Sequence, residues 1–313
     1  MFAYIARRVA ATVPVMVMVA LVVFAMLRLT PGDPAAILAG DDATEAQLEQ
    51  IRRSMGLDQP ILTQFGVWMG QLVRGDLGVS LLSGKPVLDL ISNRVGPTVA
   101  LALATIAVTV IVAVPMGIIA ARNRGKMLDR AVMTLSVFGF SVPTFVIGYL
   151  LIYLLALKLG WFPVQGYKPM ANGLWPFAQR LVLPTLALSG IYIALVARIT
   201  RSSIIEVMGE DFIRTARAKG ARERSILLRH ALRNSAVPIV TIIGIGVASL
   251  ITGVVVTESV FNLPGLGRLV VEAVLARDYP VIQGMILLFS LTYILINLAV
   301  DVLYTVFDPR IRY

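Results

Sequence analysis

The stretch DFIRTARAKGARERSILLRHALRNSAVP, residues 211–238, decides how the rest of the chain is read. It is basic, helix-prone and too polar to cross a bilayer, yet it joins two uncharged runs, residues 181–197 and 234–257. Its pattern is that of a helix, a corner and a second helix. Asp211 is placed to cap a helix on which Phe212 and Ala216 stand one turn apart, with Arg214, Arg217 and Lys219 around them. Gly220 then supplies the left-handed residue that ends it. A second helix from about Arg222 puts Ile226, Leu227 and Ala231 on one stripe and runs toward Pro238. Two readings stay open at this point: a mechanical linkage to a partner outside the membrane, and a charged surface loop.

Working outward, 58% of the 313 residues are hydrophobic and only 15% charged, with a mean hydropathy of +0.83. Soluble domains carry roughly a quarter charged residues, so the composition predicts an all-α polytopic membrane protein. Uncharged runs long enough for a hydrocarbon core of about 30 Å occur at residues 9–27, 97–121, 131–157, 181–197, 234–257 and 279–300. Six transmembrane helices follow. The fourth run has only 17 residues and borrows its flanks, Arg198 among them, by snorkelling. The first follows Arg7 and Arg8 as a secretory signal would, but its 19 uncharged residues exceed a signal's apolar core, and it is read as a retained span.

Six spans put both termini on one side. The termini with segments 122–130 and 198–233 hold 17 basic and 6 acidic residues, and the opposite side holds 11 of each. The positive-inside rule makes the first set cytoplasmic. Topology and anionic lipid then account for the net charge of +10 without nucleic acid.

The external segment 30–96 carries signals for three short helices. Thr44 and Gln47 form a capping-box pattern before an amphipathic stretch ending at Gly56. Pro60 suits a first helical position, with Ile61, Phe65, Trp68, Met69 and Leu72 on one face, and a third helix follows Pro86. The segment reads either as a cap on the membrane surface or as a docking surface for an external partner. In segment 158–180, Trp161, Phe162, Trp175 and Phe177 fit the headgroup level. Pro14, Pro115, Pro143 and Pro184 lie inside spans, and Gly244, Gly246 and Gly253 dot the fifth. They suit close bundle packing or helices that line a path.

Chemical motifs are few. The chain has no cysteine, which excludes disulfides, thiolate metal sites and cysteine nucleophiles. A phosphate-cradling loop needs glycine five residues before its Gly-Lys pair, and neither Gly84-Lys85 nor Gly125-Lys126 has one. His230, the sole histidine, lies in the basic stretch and reads as a surface or packing residue. No catalytic residue and no metal site is assigned. The predicted spans hold no interior charge, which weighs against the alternative of an ion-coupled secondary transporter. A non-transporting membrane scaffold is the other alternative.

At residues 214–220 the sequence resembles the inner-membrane permease subunits of ABC importers, whose cytoplasmic loop carries Glu-Ala-Ala, three residues, then Gly. Here those positions read Arg214, Thr215, Ala216 and Gly220, so two of the three leading residues depart from the pattern. TARAKGA at 215–221 and RHALRNSAVPIVT at 229–241 resemble the dipeptide, oligopeptide and nickel branch. Pro31, Gly32, Asp33 and Pro34 after the first span, ESVFNLPGLGR at 258–268 and the tail DPRIR at 308–312 agree with it. The long segment between spans one and two resembles the B-type member of the permease pair.

The resemblance implies a type I ABC importer permease fold. Its parts are an N-terminal end and first helix (1–29), an extracytoplasmic helical segment (30–96) and a permease core (97–313) with a cytoplasmic coupling loop (198–233). It implies a bacterial inner-membrane protein that pairs with a homologous C-type permease, sits on two ATP-binding subunits and receives solute from an extracytoplasmic binding protein. ATP and Mg²⁺ are then bound by the partner ATPases and no cofactor by this chain. The coupling role carries over to Asp211, Phe212, Thr215, Ala216, Ala218, Lys219, Gly220 and Ala221. The translocation path for peptides or a similar small solute is expected to include Ser249, Thr252 and Thr257 of span five.

Overall fold

The computed structural model describes residues 2–29, 34–39, 44–54 and 56–307. Pro31, Gly32 and Asp33 of the first signature and the 308–312 tail lie outside the described residues. The regular structure is helical, apart from an isolated bridge between Val79 and Pro86. In order the helices are α1 (Phe2–Leu29), α2 (Pro34–Ala39), α3 (Glu45–Ser54), α4 (Ile61–Val73), α5 (Val87–Arg122), α6 (Met127–Ser141) and α7 (Thr144–Leu151), with a π turn at Ile152–Lys158. Then follow α8 (Leu174–Val207), α9 (Asp211–Ala218), α10 (Glu223–Ser225), a π turn at Ile226–Ala231, α11 (Leu232–Asn234), α12 (Ala236–Val260), α13 (Leu266–Leu275) and α14 (Tyr279–Phe307).

Among the described residues four helices, α5, α8, α12 and α14, are long and apolar enough to cross a bilayer, and α6 with α7 makes a fifth if the bent pair is one span. The apolar part of α1, Ala10–Met26, is shorter. The chain is an all-helical membrane protein.

Three expectations about element boundaries need correction. The helix after Pro86 is not separate from the second span: α5 runs unbroken for 36 residues through Pro97. A proline forfeits one backbone bond without necessarily ending a helix. Arg94, whose charge closed the apolar run, donates to Glu272 Oε2 at 2.7 Å. The run 131–157 is not one straight helix, because α6 and α7 meet at 101°. Pro143 has no N–H to give and forces Val142 into extended backbone (φ −98°, ψ 122°). The fourth run belongs to a 34-residue helix, α8, so the first ten residues expected in the loop 198–233 are helical. On a smaller scale, Thr44 and Gln47 form their capping box (N···O 2.9 Å from Thr44 to Gln47 Oε1), whereas Pro60 is the N-cap of α4 rather than its first helical residue.

The chain divides into two units, one from residues 1–96 and 268–294, the other from 97–267 and 295–313. In the first, Phe24 of α1 packs on Phe65 and Trp68 of α4, with ring centroids 5.2 and 5.6 Å apart. Buried Asp278 accepts from the Ser80 hydroxyl at 2.5 Å and the Leu81 N–H at 3.1 Å. Glu272 takes a second guanidinium, Arg268, at 2.8 Å.

In the second unit α8 is the hub. Half of its most apolar stretch is buried (50%, against 22% in α5 and 33% in α12). Without a hydrophobic drive between helices in lipid, close backbone approach supplies the packing energy, and small residues permit it. A Cβ on Gly117 of α5 would lie 2.6 Å from the Thr200 Cβ, and one on Gly253 of α12 would lie 2.7 Å from Leu188 Cδ1. Leu183, Ala187 and Leu188 of α8 share a core with Leu101, Ile152, Leu250, Val254, Phe261 and Leu263.

Candidate functional site

The corner between α8 and α12 is built as follows. Glu210 is the extended N-cap of α9 and makes no side-chain cap bond, so Asp211 is the first helical residue rather than the cap. Its carboxylate still complements the helix dipole from the first turn, and Arg214 donates to it at 3.1 Å on the surface. Ile213 is fully buried and anchors α9, while Phe212, two-fifths exposed, points outward. Thr215, Ala218 and Lys219 are also exposed, and Ala216 and Ala221 are half-buried.

Gly220 has φ +78°. The Gly220 N–H donates to the Arg217 carbonyl at 2.9 Å and the Ala221 N–H to the Ala216 carbonyl at 3.1 Å. This pair of bonds is a Schellman motif, which requires the left-handed residue between them. Arg217 Nε donates to Glu223 Oε1 at 2.7 Å across the corner. The guanidinium holds the Glu223 carboxyl below its ordinary range, and the carboxylate raises Arg217 in turn.

Beyond the corner, Ile226, Leu227 and Ala231 are buried as their stripe predicts. Leu227 and Ala231 share a cluster with Ile204 and Val207 of α8, with Met208 just beyond it, and with Ile118 and Ala121 of α5. The segment reaches α12 through a break at Ser235 (φ −89°, ψ 1°). Pro238 has no N–H for the Asn234 carbonyl and crowds it, which accounts for the break. His230 is half-buried in the π turn.

One turn of α8 before Ile204 lies an ion pair that pattern reading missed. Arg201 donates to both oxygens of buried Asp129, with Nη2 2.7 Å from Oδ2, and the Gly125 N–H donates to Oδ2 at 2.8 Å. The pair ties the start of α6 to the end of α8. Ile213 was missed as well, although it is the only aliphatic residue larger than alanine in DFIRTARA. Glu258, in the last turn of α12, is fully buried and accepts from Thr98 Oγ1 at 2.5 Å.

The three residues expected along the path do not share a face. Ser249 and Thr252 lie on an exposed stripe of α12 with Ile245, Val256 and Ser259. Thr257 is 3% exposed and donates inward to the Gly253 carbonyl at 3.0 Å, because it falls on the side of α12 that packs into the bundle.

The chain is thus a multi-pass helical protein whose α8 leads into an exposed helical corner stapled by Arg217 and Glu223. The chain belongs to the family of binding-protein-dependent transport system inner membrane components, whose description matches residues 113–313, while the N-terminal region of such components matches residues 1–102. It is 51% identical over 310 residues to a probable peptide ABC transporter permease of Sinorhizobium fredii, covering 99% of both chains. It is 44% identical over 313 residues to the glutathione transport system permease of Escherichia coli K12, covering 100% of both. Among solved structures it resembles a chain of the MetNI methionine ABC transporter in inward-facing conformations, with a TM-score of 0.59 over 71% of this chain and 97% of that one. At 18% identity that likeness speaks for the fold alone. The chain is therefore the permease component of a binding-protein-dependent ABC transporter, a multi-pass inner-membrane protein that works with an ATPase and a binding protein and is not itself the catalytic subunit.

Proposed function

We propose that this chain pairs with a homologous second permease to form the translocation path of a short-peptide importer, with α9 as the helix through which two ATPase subunits drive it. The observation that carries the reading is the corner itself: an exposed face of Phe212, Thr215 and Lys219 held on a buried Ile213 and closed by the bonds around Gly220. A rigid corner transmits displacement where a loose loop would absorb it. Ala216, Ala218 and Ala221 keep the surface low enough for a helix to seat in a groove, and Asp211 opens it. In this reading ATP and Mg²⁺ sit on the partners, whose closure moves α9 and, through Leu227 and Ala231, the ends of α8 and α5.

The substrate class rests on the relatives. The permease from Sinorhizobium fredii is named as a probable peptide transporter component, one from Brucella abortus that is 45% identical over 313 residues is named as such with the same reserve, and the one from Escherichia coli is named as a glutathione transporter component. Glutathione is itself a tripeptide, so short peptides cover all three. The exposed stripe with Ser249 and Thr252 is the candidate path face, turned toward the second permease; Thr257 supports α12 from behind. With the bent α6–α7 pair taken as one span, the 28-residue α1 supplies a sixth, with both termini cytoplasmic and the segment 30–96 outside.

The test is reconstitution of the full complex with its binding protein in liposomes. Peptide uptake is expected to require ATP on the ATPase side and the binding protein on the other, and to be absent with this chain alone. Uptake by the lone chain driven by a sodium or proton gradient would overturn the reading.

A further inference from the structure

From α4 we infer a second membrane contact outside the spans: an in-plane helix that rests one quadrant of its surface in the acyl boundary of the bilayer at the C-terminal end of α1. The helix ILTQFGVWMGQLV has no charged residue over its 13 positions, while Asp58 precedes it and Arg74 and Asp76 follow. At 1.5 Å per residue it is about 20 Å long, too short to cross a core of about 30 Å. Charges at both ends and none between suit a helix lying along the surface.

At 100° per residue the apolar side chains other than Val67, which is 59% exposed, share one arc. Only part of that arc meets protein. Phe65 and Trp68 pack on Phe24, in the last turn of the apolar stretch Ala10–Met26 of α1. That contact sets the depth of α4 at the headgroup level, where Trp is favoured. The adjoining quadrant of Leu62, Met69 and Val73 lies within about 40° of arc, and Leu62 and Val73 are 81% and 83% exposed. Thr63 and Gln71, exposed as well, stand about 100° and 180° round the helix from Leu62, with exposed Val67 between them. Along α1, Met18, Leu21, Val22 and Met26 are likewise exposed apolar residues. Leu62 and Val73 of α4 are bare in the same way beside the end of that apolar stretch, with Met69 half-buried between them. Lipid is the occupant that matches an uncharged helix held by aromatic contacts at the end of an apolar stretch; helices that lie in the interface bury their apolar side about 5–10 Å into the boundary.

The chain has no cysteine, so single substitutions can be labelled cleanly. Leu62→Cys, Met69→Cys, Val73→Cys, Thr63→Cys and Gln71→Cys are each introduced into the full-length chain, assembled with partners whose own thiols are replaced, reconstituted in lipid bilayers and labelled with a nitroxide. Collision with oxygen is compared with collision with a water-soluble nickel chelate. The expected result is an oxygen-to-nickel ratio several-fold higher at 62, 69 and 73 than at 63 and 71. Equal ratios would mean that the quadrant faces water. Exclusion of both reagents at 62, 69 and 73 would mean that a protein covers it. Either outcome overturns the inference, and neither bears on the coupling role of α9.

Discussion

Asp129 and Arg201 are the residues whose loss should be felt most directly. The carboxylate is buried against a guanidinium that is itself three-quarters covered (24% exposed), and the Gly125 N–H completes its bonding. Removing one partner of a buried pair leaves the other uncompensated, which costs about 3–5 kcal/mol. Arg201 retains some contact with water, so Asp129→Asn is expected at the lower end, about 3 kcal/mol, read as a lower unfolding temperature in detergent. Arg201→Gln should cost a similar amount, and the double variant less than the sum. Strict additivity would show that the pair does not couple. Neither residue stands out in the sequence. Asp129 is the fourth charge of a turn rich in arginine, and Arg201 resembles any cation at the end of a span; a separation of 72 in sequence carries no periodic signal.

At the scale of elements, Gly220 decides whether α9 is a lever or a tether. Nothing lies within 4 Å of where its Cβ would stand, so a side chain there is opposed by the backbone conformation alone. A non-glycine residue in the left-handed region costs roughly 1–2 kcal/mol, more for a β-branched one. Gly220→Val should therefore leave insertion and abundance intact while releasing the Schellman bonds and re-aiming α9. ATP-driven uptake is expected to fall sharply, with Gly220→Ala intermediate. Wild-type uptake in Gly220→Val, at matched abundance in the membrane, would show that the corner does not transmit the stroke. This element was legible in advance because glycine, the Ile226, Leu227 and Ala231 stripe and the basic composition are local signals. The N-cap was misassigned by one residue, a shift that local propensity does not resolve. The longer helices were less legible. Charge counting ends a span at Arg94 or begins a loop at Arg198, but α5 and α8 run past both, and in those extensions Arg94 and Arg201 pair with Glu272 and Asp129 from elsewhere in the chain. Pro143 and Pro97 read alike as letters, and only the fold distinguishes the break at one from the continuity at the other.

For the whole molecule, the partition into units cuts across sequence order, and residues 1–96 share one with 268–294. Within that unit, polar contacts join the two distant segments: Ser80 and Leu81 to Asp278, and Arg94 to Glu272. Burial raises the pKa of Glu272, but the hydrogen bonds and charges of Arg94 and Arg268 outweigh it and hold the carboxyl below its ordinary value of 4.5. A group with a depressed folded pKa contributes stability above its unfolded value and loses it as pH falls through the folded one. The contact is thus at full strength at neutral pH and weakens below about 4.5. The side chain is 42% exposed, so solvent screens the pair and the effect is modest. Thermal unfolding of the purified chain between pH 7 and pH 3.5 should show an acid-dependent decrease that Glu272→Gln reduces, since the amide cannot titrate. The same variant should be less stable than wild type at pH 7 and approach it at the acidic end. If the two pH profiles run parallel, the arginines do not stabilise Glu272 in its charged form, and the two segments are held by Asp278 and apolar packing instead.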